Sequence, residues 1–277
     1  MFVASLLCQA ILATAAFAVP TAKERLAERV ARRDAGLTRQ SLPMQTVDLT
    51  ENTLVSDVDG LANATHGSVS YSTNWAGARL SEKKATYKTV TGTFVIPTPK
   101  EPAGGKGKHY ASAWVGIDGA TCNHAILQTG LDLAVNGKDV SFSAWYEWFP
   151  AVAHDFTGIT FKAGDTVTVT VAASSKTGGK ATIKNHRTGK TVSHTFSGQP
   201  ALCEYDAEWI VEDFSAGGQV PFANFGKVAF TGATAKTLAG KTVGPANANL
   251  INIIKNKKVI TKVATGAKSV SIAYTGK

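Results

Sequence analysis

The chain has 277 residues, of which 44% are hydrophobic and 18% charged, and its formal net charge is +9. That length and apolar content can bury a substantial core, so the chain need not be disordered. A charge of this size bears on solubility and association, not on fold.

In chain order, the first element is "MFVASLLCQAILATAAFAVP", an uncharged apolar run ending in the small-residue pattern Ala16-Phe17-Ala18. It reads as a secretory signal peptide over residues 1–18, so the protein is expected outside the cell. The competing reading, a buried or membrane helix, has fewer than about twenty apolar residues to work with. No later run is long enough to span a bilayer, so no membrane partner is expected. Residues 19–68 read as a removable pro-segment, with a solvated linker as the alternative. Leu26, Val30 and Leu37 fall at helical spacing among alternating charges, and Arg32-Arg33 is a candidate dibasic processing site. Residues 41–70 are polar and acidic, with a glycosylation acceptor at Asn63-Ala64-Thr65. With no strand or aromatic content to pack, everything before about residue 60–70 is expected to leave the mature protein.

All five tryptophans lie beyond residue 70. From there the chain alternates short runs rich in Val, Ile, Thr, Phe and Tyr with Gly, Asn, Lys and Pro. "YKTVTGTFVIP", "VTVTVAAS", "KATIKN", "KTVSHTF", "NIIKNKKVITKV" and "SVSIAY" show the period of two that marks strands. Asn136-Gly137 is a two-residue hairpin signal; Gly178-Gly179 and Thr188-Gly189 mark further turns. Roughly a dozen strands at this spacing predict one all-β domain over residues 69–277, an antiparallel sandwich or barrel. This part holds 23 Lys+Arg against 13 Asp+Glu, a net charge of +10.

Once Cys8 leaves with the signal, Cys122 and Cys203 remain, an even pair in an oxidising compartment. A disulfide between them would close a loop of about 80 residues and contribute about 4–5 kcal/mol in the chain-entropy model; two free thiols are the alternative. The six histidines are scattered and no Cys/His spacing suits zinc, so no metal site is indicated.

The chemistry-bearing residues sit among the tryptophans. In "AEWIVEDF", Glu208, Ile210 and Glu212 alternate onto one face, and Trp209, Val211 and Asp213 onto the other. In "SAWYEWFP", Glu147 lies between tryptophans, where burial would raise its pKa; a structural ion pair is an equal reading. Gln128 in "AILQTG" offers donors and an acceptor from an apolar strand, either to cap a strand end or to orient water and serve an oxyanion. No G-x-S-x-G elbow, aspartic-peptidase signature, H-E-x-x-H or P-loop is present. An enzyme built from this sequence would work with carboxylates and amides.

"STNWAG", "AWVGIDG", "ILQTG", "AWYEWFP" and "AEWIVEDF", in that order, resemble the fungal glutamic peptidases (eqolisins) from about residue 71 onward. "DFTGITFKAGD" and "VPFANF" add to the likeness. The resemblance implies a sandwich of two curved antiparallel sheets of about seven strands each. It also implies a secreted, acid-acting endopeptidase without metal or cofactor, made as a zymogen, monomeric, acting on proteins or peptides and inhibited by its own pro-segment. It carries the catalytic pair over to Glu212 and Gln128. Glu212 would take a proton from a water, and Gln128 would donate to the oxyanion of the tetrahedral intermediate. Trp75, Trp114, Asp118, Tyr146, Glu147 and Glu208 are then cleft or supporting residues, and Cys122–Cys203 is the family's disulfide. The basic mature part departs from the acidic best-known members, and positive potential is expected to lower carboxyl pKa values. Two other readings are a carbohydrate-binding sandwich with a tryptophan-lined groove and, more remotely, a nucleic-acid binder. The dispersed lysines argue against the last.

Overall fold

The period-two runs become strands throughout the computed structural model, which describes residues 39–48, 68–218 and 220–276. The signal peptide, the helical spacing at Leu26, Val30 and Leu37, Arg32-Arg33 and Asn63 lie outside the described residues. The first strands are β1 (Arg39–Gln40), β2 (Thr46–Val47), β3 (Val69–Ser72), β4 (Trp75–Ser81), β5 (Tyr87–Val95), β6 (Lys108–Ile117) and β7 (Ile126–Asn136). There follow β8 (Asp139–Phe149), β9 (His154–Asp155), β10 (Thr166–Ser175), β11 (Gly178–Asn185), β12 (Thr191–Phe196), β13 (Asp206–Glu212) and β14 (Ser215–Ala216). The chain ends with β15 (Lys227–Thr237), β16 (Thr242–Val243), β17 (Asn249–Lys255), β18 (Lys258–Val259), β19 (Thr261–Gly266) and β20 (Ser269–Tyr274).

Two large sheets face each other. One runs β12-β11-β10-β5-β15-β20-β19 with β16 on β15. The other runs β2-β3-β17-β4-β13-β6-β7-β8-β9 with β18 on β17. Setting aside the two-residue pieces, each sheet has the seven strands that were expected. One pairing differs. β17 slots between β3 and β4, so it runs parallel to the first and antiparallel to the second. The hairpin at Asn136-Gly137 forms one residue later than expected, with Asn136 still paired to Asp139 and the loop at Gly137-Lys138.

The core between the sheets comes from every second residue. Val115, Leu127, Leu131, Trp209 and Val211 of one sheet meet Val90, Phe94, Val169, Ile183, Phe230 and Ile272 of the other. Burying such a side chain contributes about 1.5–3 kcal/mol, while the whole β-propensity scale spans about 1 kcal/mol, so burial sets the register. Trp209 also donates its indole N–H across the sandwich to the carbonyl of Thr91, at 2.8 Å. Gly77 makes the close approach of β4 to β13 possible: with φ of +153°, a Cβ there would lie 2.0 Å from the Trp209 carbonyl oxygen. The consequence for function is the other face of the second sheet. It carries a separate apolar cluster of Trp75, Trp114, Ile126, Trp145, Ile210 and Ile251, and among these sit the carboxylates.

Candidate active site

Strand register lays this face out in rows. Trp75, Glu212, Ser112 and Asp132 form one row across β4, β13, β6 and β7. Gly77, Ile210, Trp114, Gly130 and Trp145 form the next. Arg79, Glu208, Gly116, Gln128 and Glu147 form the third. Glu208 and Glu212 therefore share a face, as the alternation predicts, but lie four residues or about 13 Å of strand apart. Gly130 leaves room for the central indole: a Cβ there would meet the Trp114 Cβ at 2.5 Å.

Glu212 is fully buried. Its Oε2 accepts the Trp114 indole N–H at 2.9 Å, and its Oε1 accepts the backbone N–H of Leu42 at 3.1 Å. Burial pushes its pKa up to about 7, against the opposing pull of Arg39 and of these donors. Trp114 is held edge-on to Trp75, with ring centroids 4.8 Å apart. Glu147, also fully buried, is pushed up to about 8, first by burial and then by the neighbouring Glu212, although Arg39 pulls the other way. The lysine-rich surface does not set these values; desolvation outweighs it, and Arg39 is the cation that acts on both groups.

Arg39 is the centre of a cluster that sequence reasoning missed. Its Nε donates to Asp132 Oδ1 at 2.9 Å, Nη1 to Glu147 Oε2 at 3.1 Å and Nη2 to Ser112 Oγ at 3.0 Å. The guanidinium lies 3.6 Å from the Trp145 ring centroid, and the Trp145 indole N–H donates to the same Ser112 Oγ at 3.0 Å. Asp132 had a signal: four residues after Gln128 in "QTGLD", it falls on the same strand face. Arg39 had none, because it comes from the upstream segment.

Residues 39–48 of that segment pack on the domain, contrary to the expectation that it has no strand content to pack. β1 pairs with β14, and β2 pairs with β3. Between them the backbone crosses the carboxylate face. Ser41 N–H donates to both Glu147 oxygens at 3.2 Å, Met44 N–H to the Gly119 carbonyl at 2.9 Å and Gln45 N–H to Asn74 Oδ1 at 2.9 Å. Asn74 Nδ2 donates back to the carbonyls of Leu42 and Pro43 at 3.3 and 3.2 Å. These contacts are made by the main chain, which side-chain periodicity does not encode.

The other candidates fall in three places. Gln128 is fully buried on the carboxylate face, and neither polar atom of its amide has a protein partner. Glu208 is equally buried with both oxygens unpartnered, opposite Arg79 in register, and its pKa is raised well above the ordinary value by burial and by Asp206 and Asp118. Asp118 does not line the face. Its carboxylate accepts the backbone N–H groups of Glu204, Tyr205 and Asp206 at 2.8, 2.8 and 3.2 Å, fixing the entry to β13. Tyr146 points to the opposite side of β8, stacked on His194 at 4.1 Å, where with Phe156 and Val192 it lines a cavity of about 390 Å³. Cys122 and Cys203 are bonded, with Cα atoms 6.1 Å apart, tying the loop before β7 to the segment before β13. Asp213, the third acid of "AEWIVEDF", pairs with Lys255.

This geometry can be set beside known proteins. A model of the Peptidase A4 family matches residues 73–274. The chain is 41% identical to Aspergillopepsin-2 of Aspergillus niger and 37% identical to Scytalidopepsin B of Scytalidium lignicola, covering 98% of this chain and of each relative. It resembles the crystal structure of scytalido-glutamic peptidase with a transition state analog inhibitor, with a TM-score of 0.66 and 38% identity over 73% of this chain and 98% of that one.

Proposed function

The chain belongs to the Peptidase A4 family and is a glutamic endopeptidase, and from that premise we propose that it cuts peptide bonds with a water activated by Glu212 and Gln128. The observation that carries the assignment is Glu212 itself. It is the buried carboxyl that faces both an indole donor and the N–H of a peptide lying across the face. Glu208 touches no part of that peptide among its hydrogen bonds, and its oxygens are enclosed.

In the proposed cycle, ionised Glu212 accepts a proton from water as the oxygen adds to the substrate carbonyl. The Gln128 amide, buried and without a protein partner, donates to the oxyanion. Glu212 then returns its proton to the departing amine. An acid with a pKa of about 7 suits both halves of this exchange. Burial is the chief cause of that value, and residues 41–45, lying across the face, contribute to it. When the segment leaves, water returns and the pKa falls towards the ordinary carboxyl range, so an ionised base exists at acidic pH.

The upstream segment acts in this reading as the inhibitor of a secreted zymogen, because it occupies the face a substrate needs. The signal peptide supports export. The test is kcat/KM against pH from 2 to 7 on a denatured protein, with pepstatin present and absent. Activity is expected to survive pepstatin. Glu212→Gln and Gln128→Glu should each lose several orders of magnitude, while Glu208→Gln keeps substantial activity with its acid limb displaced. If Glu208→Gln is dead and Glu212→Gln is nearly normal, the base has been assigned to the wrong acid of β13.

A further inference from the structure

We propose that the Ser41–Leu42 bond is the first peptide bond this chain cuts, within its own upstream segment and in cis. The inference rests on the peptidase reading above and adds to it a defined processing site.

The upstream segment does more than cover the carboxylates; it presents one bond to them. The Leu42 nitrogen, the atom that must receive a proton if the Ser41–Leu42 bond breaks, lies 3.1 Å from Glu212 Oε1. On the other side of the same bond, Ser41 N–H is held by both oxygens of Glu147 at 3.2 Å, and the Ser41 hydroxyl lies beside Glu212. Gln128, with its unpartnered buried amide, is the cross-strand neighbour of Glu147.

The run is fixed at both ends. Upstream, Arg39 is clamped by Asp132, Glu147 and Ser112 over the Trp145 ring, and Arg39–Gln40 pair with Ser215–Ala216. Downstream, Asn74 binds the Leu42 and Pro43 carbonyls, and Thr46–Val47 pair with Tyr71–Ser72. Pro43 stiffens the chain one residue past the bond. Holding a reacting bond in this way can replace an encounter between two molecules by an internal reaction with a large effective molarity.

The step consumes one water. Glu212 takes a proton, the remaining hydroxyl bonds to the Ser41 carbonyl carbon, and Gln128 donates to the oxyanion. The C–N bond then breaks with its electron pair going to the Leu42 nitrogen, which takes the proton from Glu212. The products are a Ser41 carboxyl and a Leu42 amine. The downstream piece stays paired to β3, so a later cut has to clear it.

The experiment uses the full-length precursor, prepared below about pH 5, where buried Glu212 keeps its proton, and then stepped to several values up to pH 8, the cut speeding up as Glu212 ionises through about 7. Quenched samples are read by intact mass and N-terminal sequencing over a thirty-fold range of protein concentration. The first new N-terminus should be Leu42, with a complementary fragment ending at Ser41 and a rate constant independent of concentration. Glu212→Gln and Leu42→Pro should each slow that cut more than a hundred-fold, and Arg39→Ala at least ten-fold. A first cut elsewhere, a rate proportional to concentration, or unimpaired cutting at Leu42 in Glu212→Gln overturns the proposal. An added denatured protein separates the two readings. Its digestion while Ser41–Leu42 stays intact removes only this inference, whereas no digestion at all removes the peptidase mechanism as well.

Discussion

Stability that rises as the medium becomes acidic follows from the carboxylate face. Glu212 has an ordinary pKa of 4.5 and is raised to about 7 in the fold, chiefly by burial. Between those values the folded chain holds a proton that the unfolded chain has released. The associated stabilisation is therefore complete below about pH 4.5 and is lost as pH rises through about 7. A difference of about 2.5 pKa units corresponds to about 3 kcal/mol at 1.36 kcal/mol per unit. The comparison that isolates it is full-length Gln128→Ala against Gln128→Ala/Glu212→Gln, since the first change silences the chemistry that would digest the sample. Asp118, at about 6, is present in both chains and cancels, whereas Glu147, at about 8, is held up partly by Glu212, so its change adds to the Glu212 effect in the same direction. Calorimetry from pH 4 to 8 should show the parent losing about 3 kcal/mol more than the double variant. For a domain of this size that is about 6–12 °C in Tm. The glutamine exchanges one acceptor for a donor facing Leu42 or Trp114, which lowers its Tm by a pH-independent amount. Two curves that run parallel from pH 4 to 8 would show that Glu212 is not held protonated by burial.

Replacing Trp114 by Phe removes the indole donor that lowers the Glu212 pKa, so the acid limb of kcat/KM should move to higher pH while the fold is kept. An unmoved limb would mean that this bond does not act on the base. Reducing Cys122–Cys203, or replacing both by Ala, releases a loop of 81 residues. It should cost about 4–5 kcal/mol, read as the unfolding free energy extrapolated to water with the m-value fitted for each form, since opening the loop expands the unfolded chain. Thiol titration of the unfolded, unreduced protein should find neither Cys122 nor Cys203 free.

The sequence determined the fold class, because a period of two with β-branched residues can bury a face only as strands. It also placed Glu208 and Glu212 on one face and brought Trp75, Trp114, Glu147 and Gln128 into consideration, because alternation and motif order are local properties of the chain. Which of these residues meet was decided by tertiary structure. Asp118 and Tyr146 lie in the same motifs as cleft residues, yet one is committed to the backbone entering β13 and the other faces away, since closeness in sequence does not fix direction in space. The parallel pairing of β3 with β17 needs a strand from 181 residues away in register, Ser70 against Ile251 being one such partner, and no local pattern reports it. Arg39 and the main-chain contacts of residues 41–45 were invisible for a related reason. Backbone N–H groups are the same at every residue but proline, so the hydrogen bonds that lay this run across Glu147 and Glu212 leave no mark on composition or periodicity. The direction of the carboxyl pKa values followed suit: the sequence shows an excess of lysines, and only the packed fold shows that burial outweighs them.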